Sequence, residues 1–281
     1  MRIVITGGKG MLGRTLCRVL HRHAVTVADL PELDITRPGD CDAFLGAARP
    51  DAVIHAAAMT AVDACESQPD LAFKVNALGS ANVAAACRRH GARLIALSTD
   101  YVFDGALARP YHEWDPAAPR TVYGASKRAG EEAIERLCPD HLILRIAWLY
   151  GAGGPSFLHT MLKLGASEGP PLKVVADQVG NPTSADAVAD LIARLLEVPV
   201  AGLLHGSCEG EATWHDFARA IFARRPGKRV VEPCTTADYP RPAPRPANSR
   251  LEKRVLRLLG LPPPPPWEAA LDRFLAEHPD L

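Results

Sequence analysis

The 281-residue sequence has no surplus of charge of either sign, no closely paired cysteines and no long apolar run. Its 32 basic side chains balance 32 acidic ones, so no overall field draws polyanions, and nucleic acid and membrane surfaces are set aside as main partners. The seven cysteines are scattered, odd in number and free of any CxxC pair. That pattern argues against a disulfide framework or a zinc site and reads as thiols in a reducing compartment. Nowhere do eighteen apolar residues run uninterrupted, and Met1 leads straight into the apolar Ile3–Ile5 stretch. The expectation is therefore a cytoplasmic protein with neither a signal segment nor a membrane span.

An apolar fraction of 47% with 23% well-mixed charge suits a globular enzyme with one large core and a smaller lobe. Short β-branched runs at 2–6, 24–28, 51–55, 93–98 and 141–146 alternate with helical patterns at 12–22, 41–48, 70–90 and 122–137. Such alternation marks βαβ units, hence an α/β, Rossmann-like doubly wound parallel sheet. Beyond residue 150 glycines break the rhythm, and helical runs follow at 157–164 and 186–196. The division expected is a dinucleotide-binding domain over 1–150, with segments returning at about 184–200, and a smaller substrate lobe over 151–281. The prolines at 240–246 and 262–266 read as stiff connectors, the second run leading into a helix from Trp267 to His278.

A glycine-rich turn, Gly7-Gly8-Lys9-Gly10-Met11-Leu12-Gly13, stands between the first strand and the first helix. Gly7, Gly10 and Gly13 suit a pyrophosphate: positive φ favours glycine, a missing Cβ lets the phosphate approach, and the helix amides and dipole hold its charge. Asp29 ends the second strand nineteen residues beyond Gly10, placed to accept a hydrogen bond from an adenosine ribose. No arginine follows it within seven positions, so NADH is favoured over NADPH. Asp34 and Ile35 fall where the adenine edge passes, and Ala56, Ala57 and Ala58 are small enough to lie against the cofactor.

Tyr123 and Lys127 sit four apart on a helix and so share a face. A phenol with a pKa of about 10 needs help to donate a proton near neutrality, and a neighbouring ammonium supplies it. Thr99 closes the fourth strand at the carboxyl edge, where doubly wound folds bind ligands. It is placed to hold a carbonyl between Tyr123 and a nicotinamide. The chemistry expected is ketone reduction, with the cofactor giving the hydride and Tyr123 the proton.

The glycine turn, Thr99 and Tyr123-x-x-x-Lys127 together resemble the extended short-chain dehydrogenase/reductase family. Finer motifs, namely 56–63, 98–105, 122–124, 145–151, 177–183 and 245–251, are similar to the dTDP-4-dehydrorhamnose reductases and cover nearly the whole chain. The resemblance implies reduction of a 4-keto deoxy-sugar nucleotide to dTDP-L-rhamnose. It implies that Gly10, Met11 and Leu12 meet the pyrophosphate and that Leu97 meets the cofactor. Asp100 and Trp148 would then meet the sugar nucleotide, the indole offering a flat face. Thr15 stands where some members carry an acidic magnesium ligand, which makes magnesium doubtful and leaves a monomer or weak homodimer. Other readings stay open: another nucleotide-sugar reductase, an epimerase or a dehydratase of the same fold, with Tyr101 following Asp100 speaking against the dehydratase, and a non-catalytic dinucleotide-binding regulatory subunit.

Overall fold

The computed structural model describes residues 1–281. Six parallel strands form the central sheet: β1 (Arg2–Thr6), β2 (Ala24–Ala28), β3 (Ala52–His55), β4 (Arg93–Thr99), β5 (His141–Ile146) and β6 (Gly202–His205). Their order across the sheet is 6-5-4-3-1-2. The helices that concern the site are α1 (Met11–Val19), α2 (Pro38–Ala48), α3 (Gly79–His90), α4 (Val122–Leu137), α5 (Phe157–Gly165), α6 (Ala185–Leu196), α7 (Trp214–Arg224) and α8 (Trp267–Glu277).

The two-residue period of a strand sends successive side chains to opposite faces. Ile3, Ile5, Ile54, Ile95, Leu97, Leu142 and Leu144 meet α1 and α6 on one side. Val4, Val53, Leu94, Ala96 and Ile143 meet α2, α3 and α4 on the other. Strands buried on both faces need apolar residues at every position, which is why they read as continuous runs rather than alternations. The fold is therefore the Rossmann-like doubly wound sheet expected. Because β2 and β3 flank β1 on opposite sides, the chain reverses direction across the sheet at β1 and β3. A crevice opens outside their carboxyl ends.

Two elements depart from the sequence expectation. The helix expected over 70–90 is interrupted by a π-helical turn at Lys74–Leu78 between Pro69–Phe73 and α3. The π turn lies between two helical stretches in one continuous helical segment, so a reading that asks only for helix does not reveal it. The turn carries Asn76 inward, where its Oδ1 accepts Met59 N at 2.8 Å and its Nδ2 donates to Ser126 Oγ at 3.0 Å. The other departure is β6, four residues long, which pairs with β5 through Leu142–Arg145 and extends the sheet from beyond residue 200.

The second half packs α5, α7 and α8 around Tyr150, Leu158, Phe217, Trp267 and Phe274. A parallel pair of short strands, Leu172–Val175 with Val231–Cys234, lies alongside. All seven cysteines are free, and no helix is long and apolar enough to cross a membrane.

Candidate functional site

The carboxyl ends of β1, β2, β3, β4 and β5 open onto one cleft of about 780 Å³, within the range of small-molecule sites. The residues that the sequence assigns to cofactor, catalysis and substrate line it: Gly7, Gly10, Met11, Leu12, Gly13, Asp29, Asp34, Ile35, Ala56, Ala57, Ala58, Leu97, Thr99, Asp100, Tyr123, Lys127 and Trp148. These residues span 142 positions of sequence but share one wall system, because strand ends converge there. A second hollow of about 570 Å³ lies between α5, the end of α7 and the C-terminus and holds none of them.

The glycine turn forms the floor of the cleft at β1. Gly7 has φ +68°, and a Cβ there would lie 2.7 Å from Ala57 N. A Cβ on Gly13 would stand 2.4 Å from Gly7 O. The turn is thus closed against itself and against the segment after β3, and only residues without Cβ permit that approach. The result is a side-chain-free surface at the start of α1, the arrangement that binds a pyrophosphate. Asp29 braces the turn: its Oδ2 accepts Lys9 N at 3.0 Å and its Oδ1 accepts Leu30 N at 2.9 Å.

The chemical end is assembled by α4. Thr121 caps this helix by accepting Gly124 N at 3.0 Å. Its first turn lies so close to the segment after β4 that a Cβ on Gly124 would fall 2.1 Å from Tyr101 O. That approach sets Tyr123 beside Thr99, with Tyr101 packed edge-on against the phenol at 5.5 Å between ring centroids. Tyr123, Lys127, Thr99 and Asp100 are all buried.

Lys127 Nζ donates to Leu97 O at 2.8 Å. Burial lowers its pKa to about 8, against a smaller upward pull from Glu131 one turn further along α4. The Tyr123 phenol is pushed above its ordinary value, chiefly by burial, while the Thr99 hydroxyl pulls the other way. The help expected from Lys127 toward a phenolate does not register at the phenol, where desolvation dominates. The phenol stays protonated across the physiological range, the form a proton donor requires. Asp100 Oδ1 accepts the Thr99 hydroxyl at 3.0 Å, and burial raises its pKa to about 6. Its other oxygen is buried without a hydrogen bond of ordinary geometry, and the Ser249 side chain nearby offsets part of the upward shift.

Behind these residues the frame is polar. His55 bridges Thr6 Oγ1 at 2.6 Å and Ser80 Oγ at 3.1 Å, and burial holds its pKa down to about 3. Glu131 on α4 meets Arg145 on β5 through two bonds of 2.8 and 2.6 Å, with both side chains 2% exposed.

Trp148 lies in the cleft wall at φ +48°, but its ring is not open to a ligand. Trp214 stacks on it with centroids 3.5 Å apart and planes 5° from parallel. A Cβ on Gly180 would lie 2.3 Å from its Cε2. The flat face expected for a sugar ring is therefore covered in this structure. Trp214, which sequence reasoning missed, reaches the cleft from the first turn of α7 and is steadied by its Nε1 donating to Gln178 Oε1 at 3.1 Å. No local motif announced it, since α7 reads as an ordinary capped amphipathic helix. Thr15 turns its hydroxyl back to Met11 O. Nearby, Asp186, Glu277 and His278 cluster around a point where Arg18 already supplies positive charge to Asp186.

A doubly wound sheet, a glycine turn at its switch point and a Thr–Tyr–Lys set in one cleft define an oxidoreductase of the short-chain dehydrogenase/reductase type. Residues 1–279 match the family described as RmlD substrate binding domain, and the chain belongs to that family. It is 44% identical to a dTDP-4-dehydrorhamnose reductase of Streptomyces griseus, over 96% of this chain and 91% of the relative. It is also 44% identical to a probable dTDP-4,6-dihydroxy-2-methyloxan-3-one 4-ketoreductase of Streptomyces antibioticus, over 99% and 98%. The crystal structure of dTDP-4-dehydrorhamnose reductase from Bacillus anthracis, in complex with NADP, superimposes with a TM-score of 0.95 at 38% identity, covering 98% of this chain and 99% of that one.

Proposed function

We propose that this chain reduces the 4-keto group of dTDP-4-dehydro-6-deoxy-L-mannose to give dTDP-L-rhamnose, with a reduced nicotinamide dinucleotide as hydride source and Tyr123 as proton donor. The observation that carries the reading is the convergence of Thr99, Tyr123 and Lys127 on the cleft whose floor is the glycine turn. The names of the Streptomyces griseus and Bacillus anthracis relatives support the substrate and the cofactor class.

The residues fit the cofactor. Gly7, Gly10, Met11, Leu12 and Gly13 would hold the pyrophosphate on bare backbone, Asp29 an adenosine ribose, Asp34 and Ile35 the adenine edge, and Ala56, Ala57, Ala58 and Leu97 the remaining length. When bound, the reduced nicotinamide supplies the hydride. Thr99 would turn its hydroxyl proton from Asp100 to the ketone oxygen and orient it, and Tyr123 would protonate that oxygen as negative charge develops. Lys127 contributes positive charge near the phenol and reaches toward the nicotinamide ribose. Asp100, lining the cleft beside Thr99, would accept a sugar hydroxyl. Residues 1–150 with the returning 184–200 segment serve the dinucleotide, and 151–281 chiefly serve the sugar nucleotide. Asp29 at the ribose favours NADH.

The test offers purified protein the 4-keto sugar nucleotide, generated in place by its preceding epimerase, with NADH and with NADPH. Oxidation of the reduced cofactor that depends on the sugar is expected, and none with either cofactor would sink the reading. A second reading, reduction of a different 4-keto deoxyhexose on the same nucleotide, is favoured by the Streptomyces antibioticus relative. Faster turnover of that ketone would transfer the assignment to it.

Lys127 gives a pH prediction. Its proton is lost as pH rises through about 8, and kcat/KM reports groups of the free enzyme. Ketone reduction should therefore decline in kcat/KM above pH about 8, and a profile flat to about pH 10 would remove Lys127 from the role.

A further inference from the structure

The proline-rich stretch 240–246 is more than a connector, because it and the residues after it are pinned to the elements around Tyr123. Asp63, in the first turn of the short helix Val62–Ser67 that follows β3, accepts Arg245 Nη2 at 2.8 Å and Ala243 N at 3.2 Å. Arg245 Nη1 in turn donates to Ala243 O at 3.0 Å, so one guanidinium ties the strap both to the helix and to itself. Pro246 lies so close to Gly105 that a Cβ on that glycine would fall 2.5 Å from the proline Cβ, and Asn248 N donates to Gly105 O at 3.2 Å. Further on, the Ser249 side chain stands beside Asp100. The stretches 56–63, 98–105 and 245–251 thus meet at their ends, and neither Asp63, Gly105 nor Arg245 lines the cleft.

We infer that Arg245 and Asp63 are a positioning pair for the proton donor: their clasp fixes the short helix that walls the Tyr123 pocket. The inference rests on the proposed reduction. Two contacts carry the coupling from the clasp to the phenol. Cys65, two residues along the helix from Asp63, packs with Ala72 against Tyr123. Glu66 Oε1 accepts Val122 N at 2.9 Å, the amide next to Tyr123 at the start of α4. A shift of the short helix therefore disturbs both the packing of the ring and the turn that carries it. The strap resists such a shift because Pro240, Pro242, Pro244 and Pro246 occupy every second position, and each proline fixes φ. The pair is also partly shielded, with Arg245 20% and Asp63 34% exposed. It gains a further bond from the Ala243 amide to the same carboxylate, so it holds more firmly than a lone pair in open solvent.

The test compares the wild type with Arg245→Ala, Asp63→Ala, the double variant and Arg245→Lys. It measures kcat, KM for the 4-keto sugar nucleotide, and calorimetric affinity for the cofactor that the wild type uses, NADH or NADPH. Small misplacements of a reacting group cost up to about a hundredfold in rate, so each alanine variant should lose about tenfold to a hundredfold in kcat, with KM and cofactor affinity within about threefold of wild type. The double variant should be no slower than the slower single one, as for two members of one interaction. Arg245→Lys, which keeps the charge without the fork, should recover part of the rate. A raised KM with unchanged kcat in Arg245→Ala alone would make Arg245 a substrate ligand and overturn the inference. So would unchanged kcat in both alanine variants, losses that multiply in the double variant, or loss of cofactor binding in either single one. Each of these, seen beside an active wild type, leaves the proposed function standing. A wild type that oxidises neither cofactor with the keto sugar would overturn both.

Discussion

Replacing Tyr123 with Phe is expected to lower kcat for ketone reduction by roughly 10²- to 10⁴-fold, the usual contribution of a positioned proton donor. Dinucleotide affinity should stay close to that of the wild type. The substitution removes one oxygen from a ring held by packing: Tyr101 sits edge-on against it, and Cys65 and Ala72 share its small cluster. Phe fills the same space, so Thr99, Lys127 and the glycine turn keep their places. The phenol is buried and protonated, so what is lost is a proton already in position when charge develops on the ketone oxygen. Steady-state turnover together with calorimetric binding of the cofactor reads the two effects separately. A Phe variant as active as the wild type would place the proton donor elsewhere, and a variant that failed to bind cofactor would point to a disturbed fold.

Arg145→Leu is expected to destabilise the protein by about 3 kcal/mol, the lower end of the range for leaving one member of a buried ion pair unmatched. The lower end applies because Glu131 retains Arg128, at 2.9 Å, when Arg145 is gone. Arg145 also lies with its guanidinium 4.9 Å from the centre of the Phe103 ring, a contact that Leu replaces only in part. At roughly 2 °C per kcal/mol for a chain of this size, the midpoint of thermal unfolding should fall by about 6 °C. The double variant Arg145→Leu, Glu131→Leu should recover most of that loss, because two apolar side chains need no partner. A single variant with an unchanged midpoint would show that the pair adds nothing, and a double variant worse than the single would assign the effect to packing rather than charge. The pair joins α4 to β5 at the level of Ser98, whose register partner is Arg145, so it fixes the distance between the helix bearing Tyr123 and Lys127 and the sheet bearing Thr99.

Much of this site was legible because its parts obey local rules. A pyrophosphate turn must be glycine-rich and must follow a strand, so Gly7, Gly10 and Gly13 announce themselves. Tyr123 and Lys127 share a helix face by spacing alone. Asp29 is readable as the acid closing the second strand. Lys9, Trp214 and Asn76 were not legible, because each acts through a partner far away in sequence. Lys9 meets Glu32 across the end of β2, Trp214 meets Trp148 from the start of α7, and Asn76 faces inward from a π turn.

The sequence by itself determined the doubly wound sheet, through apolar runs that must be buried on both faces, and the chemistry, through residue types at short spacings. Only the tertiary structure decided which charges are free and which faces are open. Burial keeps the Tyr123 phenol protonated, a stacked indole covers Trp148, and a lysine from the glycine turn crosses the end of β2 to Glu32. Desolvation and stacking depend on what lies within a few ångströms in space, and that neighbourhood is set by how β1, ending at Thr6, and β5, ending at Ile146, reach the same edge of one sheet.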